Sequence, residues 1–363
     1  MRAANDRAAA GGDVIHLEVG QPGTAAPKGA LEAAKSAIDV DALGYTVGLG
    51  MDELRERIAL HYGESYGLDI SPSRVVITAG ASGGFILAFL AHFDAGDVVA
   101  MGSPAYPAYR NIMDSLNLKR HEIETDAACR FQPTAEHLAA INPLNGVLVA
   151  SPANPTGTML SADDLASLIE VTGDRGATFI SDEIYHGIAY GEPAHCALEF
   201  SDDVIIVNSF SKYFSMTGWR VGWLVVPEDH VRTYECLSQN LFVCPSAISQ
   251  RAALSAFDAR DELDANVARY AENRSILLRE LKRAGVTKIA PPDGAFYLYA
   301  DVSDWTDDSV AFCHQILDET GVAVAPGVDF DLVEGHRFLR ISFCGTTEET
   351  IEAASRLKDF FNG

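Results

Sequence analysis

Six short runs rich in β-branched residues, at 74–78, 98–101, 146–150, 178–181, 204–208 and 221–225, alternate with longer amphipathic stretches such as 83–93 and 161–172. Runs this apolar, without polar alternation, belong to strands covered on both faces, and their alternation with helical patterns predicts an α/β fold with a mostly parallel sheet flanked by helices. After Pro245 the texture changes. Residues 261–284 carry Leu263, Val267, Tyr270, Ile276, Leu277 and Leu281 at helical spacing, with charges on the other side, as in a long helix bridging two domains. Beyond it, 295–300, 322–325 and 338–342 predict strands of a smaller α+β unit, joined by the N-terminal segment around 15–19. The expected division is a large domain over 28–260 and a small domain built from 1–27 and 261–363.

Charge narrows the partners. Lys and Arg number 27 against 51 Asp and Glu, a net charge of -24, which repels nucleic-acid phosphates and anionic membrane surfaces at long range. An anion-binding cluster in such a chain has to be local. The six cysteines show no C-x-x-C spacing, which predicts reduced thiols in a cytoplasmic protein and neither a disulfide framework nor a metal site. No apolar run is long enough to span a membrane, and the first thirteen residues lack the apolar core of a secretory signal.

In an open parallel sheet, ligands bind beyond the carboxyl ends of the strands. Four such ends carry unusual polar groups. The run ending at Thr78 leads into Ala79-Gly80-Ala81-Ser82-Gly83-Gly84 and a helix, where small residues expose backbone N–H groups at a positive helix terminus; this is either an anion cup or a turn that lets strand meet helix closely. The run ending at Ala150 leads into Ser151-Pro152-Ala153-Asn154-Pro155-Thr156-Gly157, an ordinary turn or a rigid frame that presents the Asn154 amide. The third run ends at Asp182, with Glu183 next and Tyr185 three residues on. Asp182 caps a turn there, or answers a cationic or N–H partner. The fourth leads into Ser209-Phe210-Ser211-Lys212, followed by Arg220. A lysine in a loop is ordinarily a solvated charge, but hydroxyls and an arginine beside it offer an amine nucleophile together with donors for a dianion.

An anion cup, an amide, a carboxylate with a tyrosine, and a lysine with an arginine are together what pyridoxal 5'-phosphate requires of a protein. Over nearly its full length the chain resembles the fold type I, class I/II aminotransferases of the aspartate aminotransferase superfamily. Ser209 to Lys212 followed by Met216-Thr217-Gly218-Trp219-Arg220-Val221-Gly222-Trp223 is similar to that family's lysine signature. Ser151 to Gly157 and Asp182-Glu183-Ile184-Tyr185 resemble two further family segments.

The resemblance implies an enzyme that moves an amino group from an L-amino acid to a 2-oxo acid through a Lys212 aldimine and a pyridoxamine phosphate intermediate. Lys212 then acts as the proton carrier, and Asp182 pairs with the pyridinium nitrogen. Asn154 and Tyr185 donate to the phenolic oxygen, and Tyr106 stacks on the ring. Gly80, Ala81, Ser82, Ser209, Ser211 and Arg220 hold the phosphate, with Tyr45 reaching in from the second subunit of a homodimer. Arg340 and Gly20 bind the substrate carboxylate, with Asn154 beside them. Ser151 stands where the family segment begins with Asn, and Asp331 follows Phe330 where Gly is common.

Two other enzyme readings share parts of this pattern. A β-lyase or related synthase uses the same lysine and aspartate. Gly80-Ala81-Ser82-Gly83-Gly84 also satisfies G-x-S-x-G, the nucleophile elbow of an α/β serine hydrolase, with His314 or His336 as the base. A cofactor-binding regulator is a third possibility, but the chain carries no DNA-binding module and its charge opposes DNA.

Overall fold

The computed structural model describes residues 1–363 and contains three sheets. In chain order the strands are β1 (Ile15–His16), β2 (Val75–Thr78), β3 (Val98–Ser103), β4 (Lys119–Glu124), β5 (Gly146–Ala150) and β6 (Thr178–Asp182). They continue as β7 (Ile205–Ser209), β8 (Gly222–Val225), β9 (Tyr297–Asp301), β10 (Val322–Ala323), β11 (Ala325–Pro326) and β12 (Phe338–Ser342).

The main sheet has the order β2-β8-β7-β6-β5-β3-β4. All pairs are parallel except those of β8, which runs antiparallel to both β2 and β7. Alternate residues of one strand enter different apolar cores. Val75, Ile77, Val147, Val149, Ile206 and Val225 lie in one, while Val76, Leu148, Ile205, Val207 and Leu224 lie in the other. That is the period of two with helices on both faces, and it explains why these runs show no polar alternation.

Four readings are corrected. The sequence reading misses edge strand β4, because Lys-Arg-His-Glu-Ile-Glu is charged almost throughout, as suits an edge that must not pair with another chain. The single run at 322–325 divides into β10 and β11, which pair in different sheets. The N-terminal strand covers only Ile15–His16 and forms its own parallel ladder with β10 instead of joining β11-β12-β9. The fifth and sixth runs also shift by one residue, since Ser209 is the last residue of β7 and Gly222 the first of β8.

The long helix Arg260–Arg283 connects the main sheet to the three-stranded one and turns Tyr270, Ile276, Leu277 and Leu281 into a third core with β9, β12 and the helix Thr347–Asn362. The same core takes in Ile15 and Leu17, and also Tyr185 and Ile188. Backbone hydrogen bonds close the seam between the two sheets: Gly294 donates to Gly157 at 2.9 Å and Ala295 to Ile188 at 3.0 Å.

Candidate active site

The carboxyl ends of β2, β5, β6 and β7 lie on one rim, and because β8 runs the other way its beginning lies there too, with Gly222 between Thr78 and Ser209. A Cβ on Gly222 would sit 2.7 Å from the Asn208 carbonyl and 3.1 Å from the Ala81 nitrogen, so glycine is what lets the rim close this tightly. The helix Gly80–His92 starts at Gly80, three residues earlier than its pattern suggests, with Gly80 at φ +70°. A Cβ there would overlap the Arg220 guanidinium, so the arginine lies directly over the helix N-terminus. Ala79 and Ser82 are exposed at this end, and Ser82 is not hydrogen-bonded to a histidine. The serine-hydrolase reading therefore fails on geometry: His314 lies on the helix Ser309–Thr320, and His336 turns its Nδ1 to the Val333 carbonyl.

Lys212 Nζ donates to the Gly20 carbonyl at 2.5 Å. Burial pulls its pKa down from 10.5 to about 8. Ser209 Oγ bonds to Val221 O at 3.1 Å and to Ser211 Oγ at 2.9 Å. The Ser209 proton is thus committed to a carbonyl, and Ser211 is the hydroxyl of the pair that can turn outward. Asp182 is 3% exposed; burial raises its pKa to about 6, against hydrogen bonds from Tyr109 and the Ile184 N–H that favour the anion. A buried carboxylate of raised proton affinity is a ready partner for a cation.

Arg340 rises from the middle of β12, 7% exposed, with its guanidinium 4.4 Å from the Tyr297 ring centroid and 4.5 Å from that of Phe330. It donates to Asn154 Oδ1 at 3.0 Å and to the Glu18 carbonyl at 2.6 Å, leaving Nε buried without a partner. Tying down Oδ1 fixes the amide so that Asn154 presents its NH2. The Tyr185 hydroxyl meets that of Tyr297 at 2.8 Å, and a Cβ on Gly20 would overlap the same Tyr297 hydroxyl. Tyr106 is 38% exposed at the start of the helix Pro107–Ser115, and Tyr45 is 88% exposed and makes no side-chain hydrogen bond.

The structure thus brings together Gly20, Asn154, Asp182, Tyr185, Lys212 and Arg340, with Gly80, Ala81, Ser82, Ser209, Ser211 and Arg220 along the adjoining rim. It adds Tyr109, Tyr297 and Phe330, which the sequence reading did not assign. None of Lys212, Arg220 and Arg340 is in an ion pair, although acids outnumber bases 51 to 27. A cavity of about 370 Å³ lies beside the rim, between His61, Tyr66, His186 and Tyr213, and reaches Asn208 and Ser209 at the end of β7.

Comparison with known proteins agrees with this geometry. Residues 12–357 match the family model described as aminotransferase class I and II. The chain is 51% identical over 360 residues to valine–pyruvate aminotransferase from Mycobacterium tuberculosis, covering 98% of this chain and 93% of that one. The crystal structure of an aminotransferase from Mycobacterium tuberculosis superposes with a TM-score of 0.97 at 50% identity, covering 99% of this chain and 94% of that one. Aspartate aminotransferase from Thermotoga maritima superposes with a TM-score of 0.93 at 34% identity, covering 100% and 96%. The chain belongs to the class I and II aminotransferases, and is a pyridoxal-phosphate-dependent transaminase.

Proposed function

We propose that this transaminase exchanges the amino group of a small, uncharged L-amino acid with a 2-oxo acid, and that Lys212, Asp182, Asn154, Tyr185, Arg220 and Arg340 form its working set. The observation that carries the reading is the trio of unpaired cations at the mouth of the sheet. In an acidic protein, three positive groups without carboxylates are held for ligands. The cofactor, when bound, supplies an aldehyde that captures amines and a ring that stores the electron pair released at the substrate α-carbon.

The residues fit that group. Lys212, with its depressed pKa, supplies the amine and then carries the proton to and from the α-carbon. Asp182 faces the ring nitrogen. The Asn154 amide and the Tyr185 hydroxyl donate to the phenolic oxygen, and Tyr106 covers the ring. Arg220, Ser211 and the N–H groups of Gly80, Ala81 and Ser82 receive the phosphate, with Ser209 bracing Ser211 from behind. Arg340 grips the α-carboxylate with its planar fork, aided by the Gly20 N–H.

The choice of an uncharged side chain is supported by the 51% identical relative named for valine and pyruvate, and by a nearby arginine, Arg110, already donating to the carbonyls of Asp329 and Phe330. A domain division at 28–260 against 1–27 and 261–363 is supported by the two main-sheet cores and the third core, with crossings such as Ala26, Leu263, Tyr185 and Ile188. Six unpaired thiols support a cytoplasmic setting. A homodimer is supported by the exposed apolar surface of Ile38, Val40, Tyr45 and Val47, adjoining Leu241 and Val243 through the Ser238–Gly48 hydrogen bond.

A screen of valine, alanine and aspartate against pyruvate and other 2-oxo acids tests the substrate class. Transfer from valine or alanine well above that from aspartate is expected. Preference for aspartate would overturn the substrate assignment, and ammonia release without amino transfer would indicate the lyase reaction.

A further inference from the structure

Tyr109 lies three residues beyond Tyr106 in the helix Pro107–Ser115 and is 3% exposed. Its ring packs edge-on against Phe85, centroids 5.1 Å apart, and against Tyr106 at 5.5 Å. Held on both sides, it aims its hydroxyl at one atom, Oδ2 of Asp182. The other carboxylate oxygen, Oδ1, accepts the Ile184 N–H at 3.1 Å, and these are the hydrogen bonds the carboxylate receives.

We propose that Tyr109 is the positioning residue for Asp182: its phenol aims the carboxylate and sets how strongly that carboxylate competes for the proton on the cofactor's ring nitrogen. The inference rests on the reading of Asp182 as the partner of that nitrogen. Two opposing influences act on the group. Burial favours the neutral acid, while each donated hydrogen bond favours the anion. A backbone N–H at the end of β6 holds Oδ1 whatever the neighbours are, so the side-chain donor is the adjustable one. With the phenol in place the carboxylate stays ionised and leaves the proton on the ring, which keeps the ring an effective electron sink. Without it the carboxylate becomes more basic and draws the proton away. Phenylalanine at 109 retains the packing on Phe85 and Tyr106 and deletes only the donor.

The test uses holoenzyme carrying cofactor with an isotope-labelled ring nitrogen, observed by NMR, together with titration of the apoenzyme for cofactor affinity. In Tyr109→Phe the nitrogen resonance is expected to move toward that of unprotonated pyridine, and the cofactor dissociation constant to rise about ten-fold, the size expected for losing a hydrogen bond to a charged group. Placing 3-fluorotyrosine at 109 alone gives a more acidic donor of nearly the same shape, and should move the resonance the opposite way. Asp182→Asn provides the reference. If Asp182→Asn moves the resonance and neither change at 109 does, Tyr109 only fills space and the proposal is overturned while Asp182 keeps its role. If Asp182→Asn also leaves the resonance in place, the reading of Asp182 is wrong and the proposal falls with it. Should Tyr109→Phe fail to fold, the fluorotyrosine protein decides alone, and an unmoved resonance there overturns the proposal.

Discussion

Arg340 on β12 and Asn154 after β5 are joined by a 3.0 Å hydrogen bond from Nη1 to Oδ1, so the proposed carboxylate grip and the proposed cofactor donor share one contact across two sheets. The arginine is further sandwiched between Tyr297 and Phe330. Lysine has neither the planar fork nor the stacking face that this slot accommodates. Arg340→Lys should therefore raise KM for the amino donor about ten-fold or more while cofactor affinity stays near wild type. Steady-state kinetics alongside a cofactor titration checks both halves, and loss of cofactor with an unchanged KM would contradict the assignment.

Lys212 titrates near 8 in the apoenzyme because burial disfavours its charged form. An ammonium cannot attack an aldehyde; the free amine can. Cofactor capture should accelerate as pH rises through about 8 and level off above it, falling about ten-fold per unit on the acid side. Stopped-flow absorbance from pH 6 to 10 follows this, and borohydride-treated protein should carry the cofactor at position 212. A profile still rising through pH 10 would show that the site does not depress this amine.

Tyr45 is nearly fully exposed on a single chain. If it serves the neighbouring subunit, a mixture of Tyr45→Ala and Lys212→Ala chains, each weak or inactive alone, forms hybrids with one intact site of two. Such hybrids should recover about half the wild-type turnover per dimer. Turnover no higher than the sum of the parent variants would place Tyr45 within its own subunit's site or outside any site.

Much of this arrangement was legible in the sequence because it depends on strand ends. Asp182 directly follows an apolar run, Lys212 and Asn154 each come a few residues after one, and an open sheet collects such residues on one rim. Strand direction is less legible. A strand buried on both faces has the same composition whichever way it runs, so nothing in 221–225 marks β8 as antiparallel. Strand β4 escapes because its charges, useful at an edge, erase the apolar signal. Tyr109 and Tyr297 escape for another reason. Each sits at an apolar position of a helix or strand, where a tyrosine ordinarily packs, and only the folded chain shows hydroxyls meeting Asp182, 73 positions away, and Tyr185, 112 away.

The reversed course of β8 has a mechanical consequence. Lys212 and Arg220 hang from the single connection between β7 and β8, on strands locked side by side in the main sheet. Their separation is therefore set within the main sheet, by the β7–β8 pairing. Arg340 belongs to the β11-β12-β9 layer. The two groups proposed to moor the cofactor are thus spaced by the main sheet alone, while the proposed handle for the substrate is supplied by a different layer that meets them across the seam.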